Sequence, residues 1–131
     1  MADEISVSAY VATDKNNVKV SSPQGRKKFD QTGLGSEVQE VTATTAAGGV
    51  AVTFGLSTPG WVRLRNEDET NFVEFGPYSG GIFYPLGKLQ PASAAGEDDG
   101  GMALFQLASG VTLHLKADTA SCVVEVLALE D

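Results

Sequence analysis

The sequence predicts an all-β fold, an antiparallel β-sandwich of jelly-roll-like design with about eight to ten short strands. Two observations carry that prediction. Apolar residues recur at period two through most of the chain, as a half-buried strand requires. Turn residues, among fifteen glycines and five prolines, break the pattern at intervals of roughly ten residues, the rhythm of a sandwich or barrel.

Each strand has its own signal. Ile5, Val7, Ala9 and Val11 alternate with Ser6, Ser8 and Tyr10, and Val18 and Val20 flank Lys19. Val38 and Val41 lie in a Thr-rich run ending at Thr45, which favours extended backbone. Val50, Val52 and Phe54 alternate with Ala51 and Thr53, Val62 and Leu64 with Arg63 and Arg65, and Val73 and Phe75 bracket Glu74. Val111, Leu113, Leu115 and Ala117 face one way, with Thr112, His114, Lys116 and Asp118 opposite. The run from Cys122 to Leu129 is apolar on both faces except at Glu125, which places it in the middle of a sheet.

Turns are expected at Asn16-Asn17, Pro23-Gln24-Gly25, Gly33-Leu34-Gly35, Gly48-Gly49, Thr58-Pro59-Gly60, Gly80-Gly81 and Ser109-Gly110. Pro91 to Gly101 reads as an exposed loop. The competing arrangement is an α+β fold with a helix over 87–107. Gly96, Gly100 and Gly101 oppose it, since each costs up to ~1 kcal/mol inside a helix. With 131 residues the chain suits one domain, with residues 1–35 as a partly extended N-terminal arm.

Composition narrows the function. Nine basic against seventeen acidic residues give a formal charge of −8, which opposes general binding to nucleic acid or an anionic membrane. No stretch approaches the ~20 apolar residues of a membrane helix. Met1-Ala2-Asp3-Glu4 lacks the basic start of a secretory signal, so synthesis in the cytoplasm is expected. The one basic cluster is Arg26, Lys27 and Lys28, which reads as a solvated strand edge or a local contact for an acidic partner.

Candidate chemistry is thin. His114 is the single histidine, on the outward face of its strand, and Cys122 the single cysteine, among valines. The two become neighbours only if their strands pair. Asp118 and Glu125 would raise rather than lower the thiol pKa. No catalytic residue is assigned. Asn66-Glu67-Asp68-Glu69-Thr70-Asn71 and Glu97-Asp98-Asp99 concentrate oxygen ligands of the kind calcium takes, but neither follows the helix-flanked calcium loop. They read as solvated hairpin turns, and no metal or cofactor is assigned. Trp61, Tyr78 and Tyr84 are candidate interface residues, as a stacking platform for sugars or a protein contact, whereas Phe83 reads as capping the core.

One stretch has a recognisable form as a unit: Pro59-Gly-Trp-Val-Arg-Leu-Arg-Asn-Glu-Asp-Glu-Thr-Asn-Phe-Val-Glu-Phe-Gly76. It resembles the strand, Asn-x-Asp-x-Thr-Asn turn, strand, Gly hairpin of short structural proteins of tailed bacteriophages. Phe83-Tyr84-Pro85, Lys88-Leu89-Gln90-Pro91, Leu113 to Ala120 and Val124 to Asp131 are similar to that family's downstream segments, the last two to its C-terminal strand pair, and Asp30-Gln31-Thr32-Gly33 to its N-terminal part. Ala92 to Gly96 departs from the family pattern, in which proline runs straight into Gly-Glu.

The resemblance implies a non-enzymatic virion component made in the host cytoplasm. It would be a capsid decoration (cement) protein at subunit seams, or a neck or tail accessory subunit. The expected partners are the major capsid protein or other virion proteins, and further copies of the chain, with a trimer as one form. Neither nucleic acid nor membrane is expected as a partner. The alternative is a carbohydrate- or receptor-binding β-sandwich using Trp61, Tyr78 and Tyr84.

Overall fold

A computed structural model describes residues 5–8, 10–15, 18–23, 27–29, 31, 33, 35–92 and 100–130. The chain divides into two compact units, residues 1–32 and residues 33–131, where the sequence suggested one domain with an arm over 1–35.

In the first unit β1 (Ile5–Val7) pairs antiparallel with β4 (Lys27–Phe29), so that Ile5 meets Phe29. Between them β2 (Tyr10–Lys15) turns back onto β3 (Val18–Pro23), with Lys15 opposite Val18. The alternating run expected over 5–11 is therefore shared between two strands that take different partners.

The second unit carries β5 (Ser36–Ala43), β6 (Val50–Ala51), β7 (Pro59–Asn66), β8 (Val73–Gly76), the small β9 (Tyr78–Ser79) and β10 (Ile82–Phe83), β11 (Gly87–Leu89), β12 (Met102–Gln106), β13 (His114–Ala117) and β14 (Cys122–Glu130). Its two sheets have the orders β12-β7-β14-β5 and β11-β8-β13-β6, and every pairing is antiparallel. Thus β5 pairs with β14, β6 with β13, β7 with β12 and β8 with β11. One long antiparallel ribbon is folded between β8 and β11 and wound so that its strands are shared between two sheets. That winding is the jelly roll, and the expected all-β sandwich is the observed fold.

The core lies between the sheets. Val62, Leu64, Val73, Leu115, Val124, Val126, Ala128 and Ala43 are wholly excluded from solvent. Each large one stabilises the fold by ~1.5–3 kcal/mol. Strand β14 runs through the middle of its sheet, as its two apolar faces predicted: Val124, Val126 and Ala128 point inward, while Leu127 and Leu129 are half-buried on the other face. No helix occurs over the described part of 87–107.

At the fold of the ribbon, β9 and β10 form a hairpin through Gly80 (φ 60°) and Gly81 (φ 80°). Positive φ at both central residues is what a type I′ turn demands, and glycine supplies it without strain.

The winding corrects two expectations. The 59–76 stretch is no hairpin, because β7 and β8 belong to different sheets and residues 67–72 carry the chain across the sandwich. The last two strands are likewise not a pair, since β13 and β14 also lie in opposite sheets. Local turn chemistry cannot distinguish a hairpin from a corner, because both need the same backbone-bonding side chains.

Candidate functional site

The most polar segment of the sequence is a structural corner. Asn66, at 1 % exposure, closes β7. Its Nδ2 donates to the carbonyls of Asn71 (2.9 Å), Leu89 (3.1 Å) and Gln90 (3.3 Å), and its Oδ1 accepts from the Asp68 amide (2.9 Å). Asp68 Oδ2 in turn accepts from the amides of Thr70 (3.0 Å) and Asn71 (2.6 Å). The Asn71 amide, above all, holds the Asp68 carboxyl below its ordinary value, the Thr70 amide adding to it and partial burial working against both. Asn71 Oδ1 accepts from the Thr119 hydroxyl at 2.6 Å. The expected backbone role of Asn66 and Asp68 is therefore observed, whereas the Asn71 side chain bonds the side chains of Asp68 and Thr119 instead. Among the described residues no group of acidic, histidine or cysteine side chains is arranged to hold a metal ion. Glu97, Asp98 and Asp99 lie outside the described residues.

Other carboxylates are spent the same way. Glu37 accepts from the Gly55 amide through both oxygens (3.1 and 3.0 Å). Glu130 accepts from the amides of Gly35 (2.9 Å) and Ser57 (3.2 Å). Arg63 pairs with Glu125 across the outer face of one sheet.

His114 and Cys122 do not meet. His114 Nδ1 is bonded to the Gly48 carbonyl at 2.8 Å, and its ring lies 5.3 Å from that of Tyr78, on the outer face of the sheet containing β13. Cys122 points into the core from β14, its thiol donating to the Ala120 carbonyl at 3.3 Å. Burial, then the Asp68 carboxylate and Asp118, push the thiol up to about 11. Asp118 was expected here; Glu125 was expected too but faces the opposite side of the sheet, and Asp68 takes its place. Such a thiol is inert at neutral pH.

The candidate interface residues are dispersed. Lys27 and Lys28 stand exposed on β4; Arg26 lies outside the described residues. Trp61 is on the outer face of the β7 sheet, half-buried. Tyr78 and Tyr84 belong to the hairpin segment beside the other sheet, at 37 % and 48 % exposure. Trp61 and the two tyrosines thus occupy opposite sides of the sandwich, and no common sugar-stacking platform forms. Phe83, expected to cap the core, is half-buried on the hairpin with the Lys116 ammonium 5.9 Å from its ring.

The feature the sequence reading missed is an apolar groove of ≈ 630 Å³ beside β12. Phe75 of β8 and Phe105 of β12 stack across it, centroids 5.7 Å apart and planes 1° from parallel. Leu86, Leu107, Val111 and Leu113 complete most of its wall, and no lining residue is charged. Gly87 is what lets Phe75 lie there, since a Cβ at that position would come within 2.5 Å of the ring. Of the lining residues, Leu86 (75 %), Val111 (44 %) and Leu104 (41 %) are left to solvent. The available signal was negative: residues 100–115 contain no Asp, Glu, Lys or Arg.

No protein-family model matches the chain, and neither the curated proteins nor the solved structures contain a significant match.

Proposed function

We propose that this protein is a non-enzymatic structural component of a tailed-phage particle. In that role it is a capsid decoration protein that binds across seams between shell subunits, or a neck or tail accessory subunit. The observation that supports it best is the uncharged, apolar, open face around β12 in a chain of net charge −8. Monomeric proteins seldom leave such a face to water unless something docks there. Among the described residues Asn66, Asp68, Glu37, Glu130, His114 and Cys122 are bonded to backbone, which favours surfaces as the working part. Membership of a particle also suits a wound two-sheet fold, most of whose strands pair far along the chain.

The partners in this reading are the major capsid protein or other virion proteins and further copies of the chain. Arg26, Lys27 and Lys28 supply a local positive contact for an acidic partner. Mass spectrometry of purified particles tests the proposal. Hundreds of copies per particle indicate decoration, and roughly six to twelve indicate a neck or tail ring. Absence from particles sinks it. Changing Arg26, Lys27 and Lys28 together to Glu should lower occupancy, and unchanged occupancy would remove the basic cluster from the contact.

A further inference from the structure

Each sheet of the second unit ends in two edge strands, and three of the four edges are protected. β6 has two residues and β11 three, with Lys88 at its centre. β5 is long but carries Glu37 and Glu40. Short edges and charged edges are the usual ways in which proteins prevent sheets from joining. β12 uses neither. It has five residues, Met102-Ala103-Leu104-Phe105-Gln106, none charged, and among the described residues its one sheet partner is β7.

Its free side is ready for a strand. The Asn66 amide donates to the Gly101 carbonyl and the Leu107 amide to the Gly60 carbonyl, which puts the odd-numbered residues in the hydrogen-bonded pairs with β7. Antiparallel alternation then turns the main-chain groups of Met102, Leu104 and Gln106 outward. We propose that β12 is a self-association edge: two copies pair β12 with β12, antiparallel about a two-fold axis through Leu104, and merge two four-stranded sheets into one.

Charge restricts where a second copy can dock, and β12 is a place it leaves open. Five of the nine basic residues lie in the first 32 positions, leaving four against thirteen acidic residues in the second unit. Two such units repel wherever charged faces meet, whereas residues 100–115, β12 among them, contain no Asp, Glu, Lys or Arg. Side-chain sizes agree with this register. Around the axis Leu104 stands beside Leu104 of the second copy and Met102 beside its Gln106. On the groove face small Ala103 comes opposite large Phe105. Roughly six main-chain hydrogen bonds form. An isologous contact of this kind closes at two copies, in place of the trimer that the family resemblance suggests.

The inference deepens the reading of the protein as one that works through surfaces, but its test needs only the pure full chain. Sedimentation equilibrium at about 100 µM should give twice the 13.6 kDa chain mass. Leu104→Glu sets two carboxylates against each other at the axis and should weaken dimerisation at least about tenfold. Arg63 stands beside that position on β7, so the monomer tolerates the change. Met102→Glu and Gln106→Lys should each weaken it, and together restore it to within about threefold of the wild type, because the two charges then meet across the axis. A monomeric wild type, a Leu104→Glu protein that dimerises as tightly, or a double variant without recovery would each overturn the proposal. A monomer that still fills particles defeats the dimer alone. A dimer absent from particles defeats the particle reading alone.

Discussion

The corner at Asn66–Asn71 and the edge at β12 lie at successive stages of the same ribbon, and they invert what a sequence suggests about function. The corner is crowded with the side chains of catalytic and metal sites. There, Asn66 answers three carbonyls and Asp68 two amides, so its chemistry is consumed in turning the chain from one sheet to the other. The edge has no reactive group at all. Folding leaves Leu86, Met102, Leu104 and Val111 in water and a strand with outward main-chain groups. The unmet demand, not the chemical richness, marks the surface with work to do.

The contrast can be tested by taking the corner apart. Asn66→Ala removes the donor that serves the carbonyls of Asn71, Leu89 and Gln90 and the acceptor for the Asp68 amide, in a site closed to water. Each bond is worth about 1 kcal/mol net, and orphaned buried groups cost more, so urea unfolding should reveal a loss of about 3 kcal/mol. A loss under about 1 kcal/mol would mean that the corner is held by something else, and the polar cluster would again be free for a function.

The alkaline limb tests the core side of the same corner. Cys122 has its pKa raised from 9.0 to about 11, so the folded state holds its proton where the unfolded state has lost it. Stability from this group is complete below pH 9.0 and falls as the pH climbs toward 11. Over that window the wild type should lose on the order of 2–3 kcal/mol more than Cys122→Ala. Parallel curves for the two proteins would place the thiol in a wetter site.

What could be read from the sequence follows the same division. Period-two alternation located β7, β8 and β13 because each has one face on the core and a different chemistry on the other, whereas β5 was marked by a Thr-rich run and β14 by a stretch apolar on both faces. The backbone-bonding role of Asn66 and Asp68 was legible from residue type, while Asn71 turns its side chain to those of Asp68 and Thr119. The corner that they make was not, since the same turn could have closed a hairpin. β12 escaped notice for a physical reason. Met102-Ala103-Leu104-Phe105-Gln106-Leu107 is apolar on both faces, one lining the groove and the other open, so it shows no alternation. An interface strand imitates a core strand.

A smaller effect separates Asp68 from Asn66. Asp68→Ala removes an acceptor for two exposed-side amides and should cost about 1 kcal/mol at neutral pH. The folded-state pKa of Asp68 lies below 3.8, so its carboxylate contributes above that pH and the contribution disappears as the pH falls through the lowered value. Urea midpoints of variant and wild type should therefore converge in acid. A gap that persists below pH 2 would show packing, not the charged acceptor, to be what is lost.

The smallest effect belongs to the open face. Stabilisation by an apolar side chain scales with the area that folding takes from water, and Leu86 remains 75 % exposed. Leu86→Ser should accordingly change the stability of the isolated chain by less than about 0.5 kcal/mol, although the same change at fully buried Leu64 would unfold much of the population. A cost of about 2 kcal/mol at Leu86 would mean that the folded chain already covers this side chain in solution. The groove would then be part of the core, and the contrast between a satisfied corner and an unsatisfied edge would fail at its second term.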